Sequence, residues 1–178
     1  MVEVKVADVV PQEHLGSKAT SVVLHDQMGH RALPMWIGHV EAMSIALGLR
    51  QPPGTLRPMT IQFIKGLLEA AGAQLEDVRI VELREETYYA VARIRSGERV
   101  QEVDCRPSDA IALAVHTGRP IYVAEEIFES QGKPIPEGTR PLGKGIDTLM
   151  QQWEATFSGA GSPDPVAFAF GLEEQGSD

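Results

Sequence analysis

Apolar and polar residues alternate along several short stretches of the chain, whereas other stretches repeat their apolar residues at helical spacing. Val2, Val4 and Val6 alternate with charged or small residues, and such alternation is typical of a half-buried strand. On this basis strands are predicted over 2–10, 20–25, 30–37, 74–82, 87–94, 99–105 and 121–123. Helices are predicted over 39–49, 60–71, 107–117, 125–130 and 147–157. Pro34 favours an edge or a strand end for the third strand, because proline cannot donate to a sheet ladder.

The stretch 102–123 is the centre of this pattern, because it changes from strand to helix and back to strand. The residue before Pro107 is kept extended, and proline itself suits the first helical turn. Ser108 and Asp109 follow in that turn, where oxygen acceptors and negative charge complement free N–H groups. Ala110–Val115 is apolar throughout, which indicates a buried helix. Gly118 is a suitable stop.

Together these elements predict an α+β fold: a mixed, mostly antiparallel sheet with short buried helices. The chain has 178 residues, enough for one domain with a core and an additional segment. We place the domain at 1–133 and an acidic, partly flexible C-terminal extension at 134–178. In the extension the helix over 147–157 carries Leu149, Met150, Trp153 and Phe157, while 158–178 is rich in Gly, Ser, Pro and acid. In the helix over 60–71, one face is formed by Ile61, Ile64, Leu67 and Leu68.

The negative net charge of the chain limits which nucleic acids it could bind. The formal net charge is −9, and from Pro134 onward two basic side chains stand against seven acidic ones. This balance argues against tight non-specific binding of duplex DNA but leaves room for a local basic site. The chain shows no export signal, no apolar run that could span a membrane and a single cysteine, Cys105. A cytoplasmic location is therefore expected.

Candidate chemistry gathers where the strand over 99–105 passes into the following helix. Asp104, Arg106, Ser108 and Asp109 lie within six residues. A structural role explains them equally well, with Asp104 paired to Arg106 and with Ser108 and Asp109 at the helix start. A functional role would make the helix start and Arg106 an anion or phosphate site, with the carboxylates holding a divalent metal or acting as a base.

Other polar residues add to these candidates. Glu41 and His39 lie in the first turn of the apolar helix over 39–49. Glu41 could supply a second carboxylate, and His39 could act as an acid or a base. The alternative is that both are ordinary polar residues at the exposed start of a helix. Arg93, Arg95 and Arg99 form the best basic cluster, which suits either a solvated sheet face or a nucleic-acid contact. Cys105 is expected to face the core rather than to act as a nucleophile, and Trp36 to pack in the core or at a dimer contact.

Several segments in order resemble the bifunctional nuclease family, also described as a DNase/RNase domain. They are LPMWIG at Leu33–Gly38, EAMSIALGL at Glu41–Leu49, RPMT at Arg57–Thr60, TYYAVARI at Thr87–Ile94, VDCRPSDAIALAV at Val103–Val115 and GRPIYVAEE at Gly118–Glu126. The resemblance covers roughly Met1 to Lys133, and its most specific part surrounds Asp104–Ala110. It implies a compact α+β domain, a homodimer and cleavage of DNA and RNA.

The resulting hypothesis is a nuclease that hydrolyses phosphodiester bonds. Its candidate catalytic residues are Asp104, Arg106, Asp109 and Glu41, with Arg106 as phosphate clamp and the carboxylates as base or as ligands of a divalent metal such as Mg²⁺. The alternative is a non-catalytic dimeric binding module of the same fold. In that case the two apolar helices, 40–49 and 110–115, would supply a subunit interface, and the acidic tail could engage a protein partner.

Overall fold

The computed structural model of the protein describes residues 1–14, 17–28, 30–52, 57–136 and 141–157. The strands are β1 (Val2–His14), β2 (Ser17–Asp26), β3 (Arg31–Ile37), β4 (Ala73–Arg84), β5 (Thr87–Ser96), β6 (Arg99–Cys105), β7 (Ile121–Val123) and β8 (Lys133–Pro134). The helices are α1 (His39–Arg50), α2 (Thr60–Ala70), α3 (Pro107–Thr117), α4 (Glu125–Gln131) and α5 (Lys144–Phe157). The elements predicted from the pattern are all present, with bounds that differ by a few residues.

The described strands form one sheet in the order β6-β5-β4-β7-β1-β2-β3-β8. Only the β4–β7 pair is parallel; the pairs of β1 with β2, and of β4 with β5, are antiparallel, as are the others. The predicted α+β class with a mixed, mostly antiparallel sheet is therefore confirmed. Pro34 lies in β3 beyond the two residues that pair with β8, Arg31 and Ala32, in agreement with an edge-like position.

Apart from β8 at one edge, the order of the described strands is symmetric about β7. On each side of it a three-stranded meander leads directly into a helix: β1-β2-β3 into α1, and β4-β5-β6 into α3. The two helices pack against each other and against the sheet. Several of their apolar residues, including Ile45 and Ile111, are fully buried in the core of the same chain. Val40 and Leu49 of α1 are exposed, so the hypothesis that these two helices supply a subunit interface stays a prediction, and it is confined to the apolar residues that the core leaves uncovered.

Helix α5 ties the C-terminal part of the described chain to the sheet. Ile146, Leu149 and Met150 are buried in the common core, and the Asp8 carboxylate of β1 accepts hydrogen bonds from the backbone N–H groups of Gly145 (3.2 Å) and Ile146 (3.0 Å). The predicted helix is present but begins at Lys144. The boundary predicted at Lys133 is thus crossed by core packing. The predicted flexible tail, 158–178, lies outside the described residues.

Helix α2 departs from its predicted burial. Of the four residues expected on its apolar face, Ile61 is buried and Leu68 half-buried, whereas Ile64 and Leu67 are exposed. Among the described residues, no helix has both the length and the apolar character needed to cross a membrane.

Candidate functional site

The candidate site lies where the first turns of three helices meet. Glu41 is the third residue of α1, Asp109 is the third residue of α3, and Arg106 occupies the N-cap of α3. The start of α2, Met59 and Thr60, lines the same cavity as these residues. Helix N-termini carry partial positive charge and backbone donors. The fold therefore concentrates positive potential at this point from several elements at once.

Arg106 holds the two acidic side chains together. Its Nη1 lies 2.9 Å from Glu41 Oε1, its Nε donates to Asp109 Oδ2 at 2.6 Å, and its Nη2 donates to Asp109 Oδ1 at 2.9 Å. The hydrogen bonds to Asp109 and then the contact with Glu41 raise the pKa of Arg106 further above its usual range. The Arg106 side chain is nevertheless 65% exposed. The cluster is internally paired but reachable from solvent.

A glycine decides where the Glu41 carboxylate lies. A Cβ atom built on Gly38, the N-cap of α1, would collide with Glu41 Oε2. Without that atom, the Glu41 side chain folds back over the start of its own helix and reaches Arg106. The sequence pattern predicts Gly38 only as the end of a strand, and no local signal indicates that it positions Glu41.

Two cavities flank Arg106. One, of about 360 Å³, is lined by His39, Met43 and Trp153 as well as by the charged cluster. The other, of about 330 Å³, is lined by Trp36 and Tyr88 and also reaches Arg106. Glu41 and Ser108 line both cavities. Trp36 is exposed rather than in the core, which corrects one of the two roles predicted for it.

The structure does not bring Asp104 into this cluster. Asp104 pairs with Val91 across the β5–β6 ladder, next to the pair of Cys105 with buried Ala90. Because successive side chains of a strand point to opposite faces, Asp104 faces away from the buried side. It is exposed and is not among the described residues that line either cavity. The ion pair predicted between Asp104 and Arg106 is replaced by those with Glu41 and Asp109.

The thiol of Cys105 faces inward. Its Sγ lies 3.7 Å from the carbonyl oxygen of Ala90, and its side chain packs against the core. Burial, reinforced by the nearby charge of Asp104, raises the pKa of Cys105. A raised pKa disfavours the thiolate, so the geometry agrees with a packing role.

The predicted basic cluster is largely neutralised. Arg93 contacts the carboxylates of Asp77 (2.6 Å), Glu76 (3.3 Å) and Glu102 (3.9 Å), and Arg95 pairs with Glu76. By the alternation of β6, Arg99 lies on the other face of the sheet. This arrangement favours a solvated, charge-balanced sheet face over a nucleic-acid contact.

The side chains of this cluster, in the arrangement described, do not form a site for a metal ion. In the described parts of the chain, no group of three or more His, Cys, Asp or Glu side chains is placed to hold a metal ion. Glu41 and Asp109 are the two carboxylates that converge, and both are already occupied by Arg106. A divalent cation such as Mg²⁺, which prefers oxygen ligands, could bind them only after the guanidinium had turned away.

The protein thus has an α+β fold, and an exposed arginine lies between two carboxylates where three helices begin. This arrangement defines the class of the protein: an α+β domain with a candidate phosphate-binding arginine. Residues 22–136 match the bifunctional nuclease domain family. That range covers more than half of the chain, so the chain belongs to this family, and the resemblance inferred from its motifs is confirmed. The matched range ends three residues beyond the boundary predicted at Lys133.

Individual relatives match this chain at two levels of sequence identity. An uncharacterised protein of Mycobacterium tuberculosis is 42% identical over 118 residues, which cover 65% of this chain and 68% of the relative. Bifunctional nuclease 1 of Oryza sativa subsp. japonica is 31% identical over 86 residues, and bifunctional nuclease 1 of Arabidopsis thaliana is 30% identical over 84 residues. Those segments cover 47% and 46% of this chain but only 26% of each plant protein.

Proposed function

We propose that this protein is a nuclease that hydrolyses phosphodiester bonds of DNA, RNA or both. The observation that carries the proposal is the exposed guanidinium of Arg106, held between Glu41 and Asp109 at converging helix starts. Family membership and the names of the plant relatives support the same activity. Planar arginine side chains bind phosphate oxygens in a two-pronged manner, and preorganised donors stabilise charge that develops in a transition state.

In the proposed reaction the phosphodiester takes the place of the Asp109 carboxylate on Arg106. The released Asp109 carboxylate accepts a proton from a water molecule, whose oxygen forms the new bond to phosphorus. The bond from phosphorus to the leaving oxygen breaks, and His39, which lines the same cavity, donates the proton that this oxygen needs. Glu41 keeps Arg106 oriented. Asp104, predicted from the sequence as catalytic, has no step in this scheme.

The two cavities beside Arg106 suit a single-stranded substrate. With the scissile phosphate on Arg106, the neighbouring nucleotides would enter the cavities lined by Trp36 and Tyr88 on one side and by Met43 and Trp153 on the other. Stacking of bases on aromatic side chains stabilises single-stranded nucleic acid without base specificity. A chain of net charge −9 is poorly suited to bind duplex DNA by neutralising its phosphates.

The test is cleavage of fluorescent single-stranded DNA and RNA by protein purified to constant specific activity. Arg106→Ala should lower kcat/KM about 10²–10³-fold, as expected for loss of a transition-state donor, and Asp109→Asn should lower kcat. Gly38→Ala should lower activity about tenfold, because the added Cβ displaces Glu41 and small misplacements are costly.

Asp104→Asn is the matched control, since it makes the same chemical change outside the cluster. It should retain activity within about twofold. If Asp104→Asn abolished cleavage and Asp109→Asn did not, the assignment of the site to the helix starts would be wrong. Assays with Mg²⁺ and with EDTA test whether cleavage requires a divalent metal ion. Activity that is lost in EDTA and restored by Mg²⁺ would mean that the carboxylates leave Arg106 to bind a cation.

A second candidate function is a non-catalytic dimeric binding module. The observation that favours it is the internal neutralisation of Arg106 by two carboxylates, together with the exposed apolar residues of α2. Wild-type protein that binds single-stranded oligonucleotides but cleaves none in either metal condition would favour this function over the first. The predicted protein partner of the acidic tail would then become the ligand to seek.

A further inference from the structure

A second group of basic side chains lies at the end of α3 opposite to Arg106. Lys65 of α2, Arg95 of β5 and Arg119, which follows α3, line one cavity of about 630 Å³, here called the basic cavity. Among the described residues that line it, Glu69 carries the opposing charge. Three positive side chains thus stand against one negative side chain, in a chain whose net charge is −9.

Among the described residues, Arg119 is the basic side chain of this cavity that has no carboxylate partner. Its Nη2 donates instead to the neutral side-chain oxygen of Gln74 at 3.0 Å. The other two basic side chains are paired, Lys65 with Glu69 at 3.9 Å and Arg95 with Glu76. Arg119 is also exposed, so its guanidinium is available to an anion from solvent.

The end of α3 fixes the position of Arg119. Gly118 ends the helix with a φ of 66°, and the backbone N–H of Arg119 donates to the carbonyl oxygen of Ala114 at 3.0 Å. Glycine adopts a positive φ without strain and is the usual residue at such a helix end. The backbone of Arg119 is held by this turn and its guanidinium by Gln74. A side chain that is already positioned loses less freedom when it binds a ligand.

Three adjoining cavities connect Arg106 with Arg119. The larger cavity beside Arg106 shares Met59 and Ile61 with a cavity of about 210 Å³, and this middle cavity shares Lys65 with the basic cavity. All three follow α2 and α3 from their first turns to their last turns. Arg106 and Arg119 are 13 positions apart (119 − 106), so at the helical rise of about 1.5 Å per residue their backbones are roughly 20 Å apart.

We propose that a single strand of nucleic acid runs along α2 from Arg106 to Arg119, and that the basic cavity binds a phosphate group of this strand at a distance from the scissile one. The choice of a phosphodiester strand as ligand rests on the proposed function. A guanidinium binds phosphate oxygens through two parallel hydrogen bonds, and Lys65 adds positive charge beside Arg119. Stacked nucleotides are about 3.4 Å apart along one strand, so about six of them span the distance between the two arginines.

The experiment measures binding of fluorescent oligothymidylates by the full chain, by fluorescence anisotropy at several salt concentrations. Phosphorothioate linkages keep the strands from being hydrolysed. For a strand of about ten nucleotides, Arg119→Gln should raise Kd about tenfold. It should also lower the slope of log K against log salt concentration by about 0.7, the value for one phosphate contact on a single strand. Glu69→Gln should lower Kd, because it removes the negative charge from the basic cavity.

Two controls accompany these variants. Arg84→Gln makes the same chemical change at an exposed arginine at the end of β4, where Arg84 pairs with Glu82, and its Kd should stay within about twofold of wild type. A dinucleotide bound at Arg106 is too short to reach Arg119, so Arg119→Gln should not change the Kd of the dinucleotide.

Three outcomes would overturn the proposal. The first is that wild-type protein does not bind the longer strand. The second is that Arg119→Gln binds it as wild type does, even if the variant melts at a lower temperature, because a cation near a helix C-terminus can be purely stabilising. The third is that Arg119→Gln weakens the dinucleotide as much as the longer strand, which would show that the basic cavity takes a separate nucleotide or free phosphate.

Cleavage of ordinary DNA and RNA is measured separately, so the two proposals fail in different ways. Arg119-dependent binding of the longer strand without cleavage would contradict only the nuclease proposal. Cleavage by a protein whose binding is unchanged in Arg119→Gln would contradict only the extended strand site.

Discussion

At the scale of single residues, Asp26 shows how a buried carboxylate is stabilised. Its Oδ1 accepts hydrogen bonds from the backbone N–H groups of His30 (2.8 Å) and Arg31 (3.4 Å), and its Oδ2 accepts one from Arg31 Nε (3.1 Å). Arg31 also donates to Glu125 at 2.7 Å, which joins β3 to α4. Burial by itself raises the pKa of Asp26, but the hydrogen bonds from Arg31 and His30 outweigh it and hold the pKa below its usual value.

Asp26 should make stability depend on pH in the acid range. Its pKa is lower in the folded than in the unfolded chain, so its contribution is complete above about pH 4 and is lost as the pH falls through the folded-state pKa. Asp26→Asn should be less stable than wild type at pH 7 by about 1–3 kcal/mol, and the difference should shrink below pH 4. Urea unfolding from pH 7 to pH 2.5 measures this, with Glu98→Gln in the exposed β5–β6 turn as control. A difference in unfolding free energy between Asp26→Asn and wild type that stayed constant across that range would contradict a lowered pKa for Asp26.

At the scale of elements, the α1–α3 contact brings the two acidic first turns together. Gly48 makes this contact possible: a Cβ atom there would lie 2.6 Å from His116 Cδ2 and 2.7 Å from Val115 Cγ2. In the packed geometry His116 Nε2 is 3.0 Å from the carbonyl oxygen of Ser44. The close packing of the two helices therefore underlies the site at their N-terminal ends, although Gly48 lies near the other end of α1.

Gly48→Ala should destabilise the protein despite the better helix propensity of alanine. Overpacking costs about 1–3 kcal/mol and exceeds the gain of up to about 1 kcal/mol from propensity, so a net loss of about 1–2 kcal/mol is expected in thermal or urea unfolding. The control is a double-mutant cycle with His116→Ala, which removes one of the two obstructing side chains. Gly48→Ala should cost less in that background; an equal or larger cost would show that the ring is not the obstacle.

At the scale of the whole molecule, α5 belongs to the core although the family match ends before it. The matched range stops at residue 136, whereas Leu149 is fully buried and Trp153 lines the larger cavity of the candidate site. Asp8 accepts hydrogen bonds from the start of α5. The family domain of this chain therefore shares its core and its candidate site with a segment outside the match.

Two truncations separate α5 from the segment that follows it. Ending the chain after Phe157 should leave the melting temperature unchanged, as predicted from the composition of 158–178. Ending it after Gly143 should lower the melting temperature by about 10 °C or more. The reason is that Ile146, Leu149 and Met150 each lose about 1.5–3 kcal/mol of burial, and each kcal/mol shifts melting by about 2–4 °C for a chain of this size. Equal melting of the two truncated chains would show that α5 adds no stability.

The sequence by itself determined the elements, the fold class and the local part of the site. Hydrophobic periodicity depends on neighbouring residues, so it predicted α3 with its Gly118 stop. Arg106 and Asp109 are three residues apart in the sequence, and this local spacing is enough for them to pair at the start of α3. Glu41 lies 65 positions from Arg106 in the chain, and periodicity cannot predict a contact at that distance.

Only the tertiary structure decided which candidates meet. Packing of α1 on α3 brings Glu41 to Arg106, while the alternation of β6 turns Asp104 away, although Asp104 is Arg106's closer neighbour in sequence. The tertiary structure also left Ile64 and Leu67 exposed, although the helical pattern placed them on the apolar face of α2. The physical reason is the same in each case: side-chain position depends on how elements pack across the chain, and that geometry is set by the whole core rather than by local sequence.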